Sequence, residues 1–165
     1  MAATRSNNLS ASLEDYLEAI FNIAGESKAA RSKDIAKSLG VSKPSVTGAL
    51  RVLKRKGLAN YTPYDCVKLT GPGRAAAAEV VRKHNILKSF LVKVLGVEKD
   101  VAHKMACKAE HALGQDVIGR LLCFIEFVTT ENKQGYDLAR RFRRFHKKSS
   151  LQNSNRYGNK VGDGK

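Results

Sequence analysis

The chain has 165 residues, of which 42% are hydrophobic, so it can bury an ordinary packed core and is not disordered as a whole. Its net charge of +15 favours a polyanionic partner, with nucleic acid first and an anionic membrane surface second. No apolar run approaches the roughly 18 residues that span a bilayer, and the N-terminus lacks an apolar signal core, so we expect a cytoplasmic protein without a membrane partner.

The spacing of apolar residues predicts a mainly α protein. Ser12 and Ser32 are the expected N-caps of the first two helices, and Gly40 allows a tight turn before the third. Two short strands, 58–61 and 67–69, follow the third helix. The predicted helices, in chain order, are 12–24, 33–39, 43–56, 70–95, 99–113, 115–128 and a basic 136–146. The end of the chain, 149–165, is rich in Ser, Asn and Gly and is expected to be disordered.

Residues 32–58 have the pattern of a helix-turn-helix. Gly40 supplies the turn, Val41 is expected to plug it, and Val46 and Leu50 anchor the second helix of the motif. The two strands that follow make it a winged version. The alternative is a solvated basic helix in a structural hairpin, but the turn pattern, the wing and the charge all favour DNA binding.

The third helix carries several basic residues and no acidic one. Short or polar side chains at its N-terminus suit close approach to base edges in a major groove, whereas the basic residues near its C-terminus are expected to meet phosphates. The candidate DNA-contacting residues are Ser32, Ser42, Lys43, Pro44, Ser45, Thr47, Arg51, Lys54 and, in the wing, Tyr64.

Three segments offer side chains that bind transition metals. One predicted helix presents a thiol, a carboxylate and an imidazole at i, i+3 and i+4, which places them on one face. The first helix offers two carboxylates at i and i+3, and the long helix offers one imidazole. Six ligands could therefore surround one divalent ion: Asp15, Glu18, His84, Cys107, Glu110 and His111. The carboxylates favour Mn²⁺ and Fe²⁺, whereas the thiolate favours Fe²⁺, Co²⁺, Ni²⁺ or Zn²⁺.

Each of these groups has an ordinary alternative explanation. The two acids of the first helix are also typical of a solvated face near a helix N-terminus. His84 alone is typical of a surface or core histidine, and Cys107 of a small buried hydrophobic residue. His103 lies one turn before Cys107 and could enlarge the site. The remaining cysteines are expected to be incidental, Cys66 in the wing and Cys123 in the core.

Four segments together resemble the diphtheria-toxin-repressor family of iron- or manganese-dependent transcriptional regulators. They are residues 13–20, the helix-turn-helix, Arg82-Lys83-His84 and Cys107-Lys108-Ala109-Glu110-His111, in the order and spacing of the family. The resemblance covers about 12–128 and implies a winged helix-turn-helix domain at 1–73 and a helical metal-binding and dimerisation domain at 74–128. A basic tail, 129–165, stands where iron-responsive members have an SH3-like domain.

The resemblance implies the six ligands named above, in a hybrid set. Asp15 and Glu18 resemble the manganese-responsive members, whereas Cys107 resembles the iron-responsive members, which usually have methionine where Asp15 stands. A second, ancillary site of the iron-responsive members uses histidines at the positions of His84 and His103 with a glutamate between them. Lys88 stands at the glutamate position, so this second site is expected to be absent or altered.

The expected function is a metal-dependent repressor that binds palindromic operators in double-stranded DNA as a homodimer, with Fe²⁺ or Mn²⁺ as its ion and no small-molecule substrate. One alternative is a metal-independent winged-helix regulator in which Cys107 senses redox state or a ligand. A second is an enzyme with Cys107 as nucleophile and His111 as base, although no oxyanion-hole motif or phosphate loop is apparent. A third is a nucleoid protein that binds all sequences alike through charge. The basic tail is expected either to touch DNA phosphates or to act as a solubilising extension.

Overall fold

A computed structural model describes residues 9–27, 30–62, 66–130 and 138–158, with side chains given as far as residue 149 in the last range. The fold is mainly α with a short two-stranded wing, as predicted. The chain divides into two compact units, 1–83 and 84–165. The elements are α1 Ala11–Ser27, α2 Ser32–Leu39, α3 Lys43–Arg55, β1 Ala59–Asn60, β2 Lys68–Leu69, α4 Gly71–Ser89, a π-helical segment Phe90–Val94, α5 Lys99–Ala109, α6 Gln115–Thr129 and α7 Leu138–Gly158.

The first unit is built around one apolar core shared by α1, α2, α3 and the wing. Leu17 and Ile20 of α1 are fully buried, as are Ile35 of α2 and Leu50 and Leu53 of α3. Each such side chain contributes about 1.5–3 kcal/mol relative to an exposed position. This core fixes the angle between α2 and α3, which is what a helix-turn-helix requires.

The turn between α2 and α3 is closed by the backbone rather than by a side chain. Gly40 has φ +64°, a left-handed conformation that glycine adopts without strain. The Val41 amide then donates to the Ala36 carbonyl at 3.1 Å. Because the Val41 side chain is 37% exposed, it does not plug the turn as the sequence pattern predicted.

The wing contains a third piece of chain that the sequence pattern did not reveal. β1 and β2 pair antiparallel, with Ala59 opposite Leu69 and Asn60 opposite Lys68. In addition, Ala30 forms an isolated bridge with Val67, whose amide donates to the Ala30 carbonyl at 2.7 Å. The segment just before α2 therefore ties the wing to the helix-turn-helix.

Two predicted helix caps were wrong by one or two residues. Ser12 lies inside α1, and it is the hydroxyl of Ser10 that accepts from the Leu13 amide at 3.4 Å. Ser32 is the first residue of α2, and the N-cap position belongs to Arg31, which makes no side-chain cap bond. Each segment offers two neighbouring polar positions before the apolar pattern, Ser10 and Ser12 in the first and Arg31 and Ser32 in the second, so local propensity alone could not choose between them.

The second unit buries a separate apolar core between the end of α4, the π-helical segment, α5, α6 and α7. The predicted helix 70–95 is α-helical only to Ser89 and continues as the π-helical segment. Near its end, the Arg143 side chain of α7 lies against Gly96 and its guanidinium donates to the Lys93 carbonyl. These contacts attach α7 to the π-helical segment. The buried core residues are Ile86, Leu87, Val94, Ala106, Ile118, Ile125, Val128 and Ala139.

Three further expectations for the second unit differ from the structure. α5 ends at Ala109 rather than at 113, and residues 110–112 form a turn. α7 continues to Gly158, through residues expected to be disordered, because the stretch contains no proline and its glycine comes only at the end. Cys123 is exposed on α6 and is not a core residue. Within the described residues, no helix is both long and apolar enough to cross a membrane.

Gly73 is expected to be sensitive to substitution, because a Cβ atom there would overlap the carbonyl oxygen of Leu58. Gly73→Ala should lower the free energy of unfolding by about 1–3 kcal/mol, since neither backbone can move away without disturbing the core. Gly71→Ala is the matched control, because the same α4 turn leaves open space there. Urea denaturation followed by circular dichroism would measure both variants, and equal stability of the two would contradict the overlap.

Candidate metal centre

The end of α5 presents the thiol, carboxylate and imidazole of the predicted ligand motif. Cys107 lies within the last turn of the helix, and Glu110 is its C-cap, in helical conformation with its amide bonded to the Ala106 carbonyl at 2.9 Å. His111 follows in the turn. Because Glu110 keeps helical geometry beyond the last residue of α5, Cys107 and Glu110 remain on one face, as the spacing predicted.

Glu110 is the most unusual side chain of the second unit, because it is a carboxylate that is only 1% exposed. Its Oε2 accepts a hydrogen bond from His84 Nδ1 at 2.7 Å. Its Oε1 is buried and accepts no hydrogen bond from the part of the chain that the structure describes, and the Nε2 of His111 lies 3.5 Å away. Burying a charged oxygen without a partner is costly, so this atom marks a place where a cation fits.

His84 lies between His103 and Glu110 and is hydrogen-bonded to both. The Nδ1 of His84 lies 2.7 Å from Glu110 Oε2, and its Nε2 lies 2.9 Å from His103 Nδ1. When the carboxylate is ionised it only accepts, so Nδ1 then donates to it. Desolvation is the largest cause that lowers the pKa of His103, and positive charge on His84 or Lys88 lowers it further. The two hydrogen bonds orient His84, which is only 5% exposed, and occupy both of its ring nitrogens, so a metal ion bound to His84 would replace one of them.

The residues of the second unit fit a divalent transition metal. Around the unpaired Glu110 oxygen the chain supplies imidazole nitrogens and, one turn away, the half-buried thiol of Cys107. Sulfur, oxygen and nitrogen ligands together suit Fe²⁺, Mn²⁺, Co²⁺, Ni²⁺ or Zn²⁺ and not the all-oxygen cations. Lys88 is close enough to His103 to affect its pKa, which is consistent with the expectation that a second cation would be repelled there.

Asp15 and Glu18, the other two predicted ligands, belong to the first unit. They lie one turn apart on α1, and both side chains are half-buried. Their neighbours along the helix, Tyr16 and Leu17, are buried in the core of the first unit, which fixes the direction in which the two carboxylates project from α1.

The exposed face of α3 carries most of the predicted DNA-contacting residues. Ser42 is the N-cap, and its hydroxyl accepts from the Ser45 amide at 3.3 Å. Lys43, Pro44 and Ser45 are exposed in the first turn, and Arg51 is exposed further along. Opposite them, α3 buries its apolar residues in the core. The helix thus offers a polar, basic surface to solvent, which suits a major groove.

The other predicted DNA-contacting residues have different surroundings. The Lys54 ammonium donates to the Tyr61 carbonyl at 2.9 Å, so this residue links α3 to the wing. Thr47 is half-buried and its hydroxyl donates to the Lys43 carbonyl at 3.1 Å. Ser32 is half-buried at the start of α2. Tyr64 lies outside the described residues.

Two regions of the chain match the two parts of one protein family. Residues 8–67 match the N-terminal DNA-binding domain of the iron-dependent repressors, and residues 70–139 match their metal-binding and dimerisation domain. The chain belongs to the iron-dependent repressor family. The resemblance inferred from the sequence is therefore confirmed, and the family consists of metal-dependent transcriptional regulators that bind DNA.

Individual relatives agree with this membership. The chain is 38% identical over 119 residues to an HTH-type transcriptional regulator of Methanocaldococcus jannaschii, a match covering 72% of this chain and 95% of the relative. It is 33% identical over 124 residues to the iron-dependent repressor IdeR of Mycobacterium leprae, covering 75% of this chain and 54% of IdeR. The chain thus spans about half the length of IdeR.

A solved structure with the same fold is described as a manganese-dependent transcriptional repressor in complex with manganese. It superposes with a TM-score of 0.64 at 30% identity, covering 75% of this chain and 60% of the other. The relatives therefore include one named for iron and one named for manganese, which parallels the mixed character of the predicted ligand set.

Cobalt(II) provides a spectroscopic test of Cys107 as a ligand, since a cobalt–thiolate bond produces charge-transfer absorption that oxygen and nitrogen ligands do not. We expect this absorption when the full chain is loaded with Co²⁺, and its loss in Cys107→Ser. Cys123→Ser is the matched control, because Cys123 is exposed on α6. Retention of the absorption in Cys107→Ser would exclude this thiol from the site.

Proposed function

We propose that the protein is a repressor that binds palindromic operators as a homodimer when loaded with Fe²⁺ or Mn²⁺. The observation that carries the proposal is the buried Glu110 carboxylate, with one oxygen unpaired and imidazoles on either side, in a chain that also presents an exposed basic helix on a winged helix-turn-helix. The family to which both regions belong supports regulation rather than catalysis. A cytoplasmic location follows from the DNA partner.

We propose one ion held by the six residues predicted from the sequence. His84, Cys107, Glu110 and His111 come from the second unit, and Asp15 and Glu18 come from α1 of the first. The bound ion would supply positive charge that offsets the carboxylates. Without the ion, the three acidic ligands, Asp15, Glu18 and Glu110, repel each other. In the metal-free protein this repulsion disfavours the arrangement of side chains that binds metal.

Because the proposed ligands come from both units, metal binding and DNA binding can affect each other. A ligand set drawn from both units makes metal affinity depend on the conformation that α1 and its helix-turn-helix adopt. If that conformation is also the one that fits the operator, metal and DNA must each raise the affinity for the other by the same factor. The domain roles would be DNA binding for 1–73, metal binding and dimerisation for 74–128, and a basic extension for 129–165.

The recognition surface would be repeated by the second copy of the chain. Two α3 helices of a symmetric dimer meet successive major grooves when they are roughly 34 Å apart. Ser42, Lys43 and Ser45, at the N-terminus of α3, are placed to approach base edges, and Arg51 is placed to contact a base or a phosphate further along. Lys54, also predicted to contact DNA, is exposed and bonds to the Tyr61 carbonyl, so it joins α3 to the wing.

Replacing Glu110 with glutamine tests the metal dependence. Glutamine has nearly the same shape but no charge, so Glu110→Gln should reduce the Mn²⁺-induced gain in DNA affinity at least tenfold while leaving the helical content unchanged. The measurement is fluorescence anisotropy with genomic fragments selected by the metal-loaded protein, with and without a chelator. Glu126→Gln, an exposed acid on α6, is the control. An unchanged metal response in Glu110→Gln would contradict the site, and chelator-insensitive binding by the unmodified chain would contradict metal activation itself.

Arg51 tests the recognition face. Arg51→Ala should weaken operator binding by about 1–3 kcal/mol, since the variant lacks an exposed guanidinium on the groove-facing side of α3. Arg120→Ala, which removes an exposed arginine from α6 in the second unit, is the control and should bind nearly as tightly as the unmodified chain. Equal losses of affinity in the two variants would mean that α3 contributes only general charge.

A further inference from the structure

The first half of α7 is a strongly basic helix that the repressor function does not by itself account for. From Leu138 to residue 149 it contains no acidic residue. Its basic residues are Arg140, Arg141, Arg143, Arg144, Lys147 and Lys148. The family domain that matches the second unit ends at residue 139, so this basic segment lies beyond the matched region.

Five of these six cations share one side of the helix. At about 100° per residue, Arg140, Arg141, Arg144, Lys147 and Lys148 fall within an arc of about 120°. All five side chains are exposed. We call these five residues the basic face of α7. Their clustering gives the helix a continuous positive surface about 12 Å long, from 1.5 Å of rise per residue.

The side of α7 away from the basic face is only partly packed within the unit, since Leu138, Phe142 and Phe145 remain exposed. Ala139 is 2% exposed and belongs to the apolar core of the second unit. Arg143, which lies between the two sides, is held by the Lys93 carbonyl and by contact with Gly96. The contacts of Ala139 and Arg143 set the rotation of the helix about its axis and leave the basic face toward solvent.

Three cations of the basic face are not neutralised within the described residues. Arg144, Lys147 and Lys148 have no ion pair or side-chain hydrogen bond there. Like charges one turn apart on a helix repel each other, so the helix carries this face at a cost to its own stability. A partner of high negative charge density would offset that repulsion.

We propose that the basic face of α7 is a second DNA-contacting surface, which binds backbone phosphates of the duplex without regard to sequence. Duplex DNA carries one charge per about 1.7 Å of axis, a density that matches closely spaced cations. An anionic membrane would also attract these cations, and Leu138, Phe142 and Phe145 leave apolar surface exposed on α7. Membership of a family of DNA-binding regulators favours the duplex as the partner. The proposal rests on the DNA-binding function of the chain and adds a contact outside the winged helix.

The test compares two triple variants of the full chain, each loaded with Mn²⁺. Arg144→Gln, Lys147→Gln and Lys148→Gln together neutralise the end of the basic face. Arg120→Gln, Lys99→Gln and Lys104→Gln together remove the same charges from exposed positions on α6 and α5. Anisotropy with an operator fragment and with an unrelated duplex of equal length, over a series of salt concentrations, gives the affinity and its salt dependence.

We expect the basic-face variant to lose affinity for both duplexes by a similar factor. Its plot of log affinity against log salt should be shallower by about 0.9 for each phosphate that the variant no longer neutralises, up to about 2.7 per protomer. The ratio of affinities with and without Mn²⁺ should stay the same, which separates this proposal from the metal-dependent function. The control variant should keep nearly the slope of the unmodified chain.

Equal slopes for the two triple variants would overturn the proposal, since the effect would then be one of net charge. Binding to phosphatidylglycerol vesicles provides the second arm. If the basic-face variant loses vesicle binding while its DNA slope matches that of the control variant, the face serves a membrane surface and the proposal is wrong.

Discussion

The second unit depends on one buried interaction, between the carboxylate of Glu110 and the imidazole of His84. A carboxylate that is 1% exposed can be tolerated only when its oxygens have partners, and here a single hydrogen bond of 2.7 Å serves one oxygen. Among the described residues, none donates a hydrogen bond to the other oxygen. The polar group is therefore half satisfied by the protein, and this incompleteness is the physical basis for assigning a cation to it. His103 is hydrogen-bonded to the other ring nitrogen and holds the imidazole in place.

In the first unit, the packing of the apolar core sets the orientation of α3. Buried residues of α1, α2 and α3 form one core, and the backbone turn at Gly40 sets the angle between α2 and α3. The Ala30 bridge and the Lys54 bond to the Tyr61 carbonyl then fix the wing. Because the core takes up the buried apolar residues of α3, the polar N-terminus of this helix and Arg51 remain exposed. The surface that we propose for DNA recognition is thus the side of the helix that the core leaves to solvent.

Charge is distributed over the two units for different purposes. In the first unit the positive residues of α3 accompany short polar side chains, a mixture suited to base edges as well as phosphates. On α7 the basic face consists of arginine and lysine, beside exposed apolar residues, and carries nothing that distinguishes one base from another. The net charge of +15 is therefore not a uniform property of the surface. The positive residues of α3 and α7 lie on the solvent-facing side of each helix.

The sequence by itself predicted most of the helices, the winged helix-turn-helix and the family, because apolar periodicity and residue chemistry are local properties, and it named candidate ligands. It placed Cys107 and Glu110 on one face, and the structure agrees. Only the tertiary structure decided that Glu110 Oε1 receives no hydrogen bond from the described residues, that Ala30 joins the wing, and that Val41 and Cys123 are exposed. These properties arise from contacts between residues far apart in the chain, which local patterns do not encode.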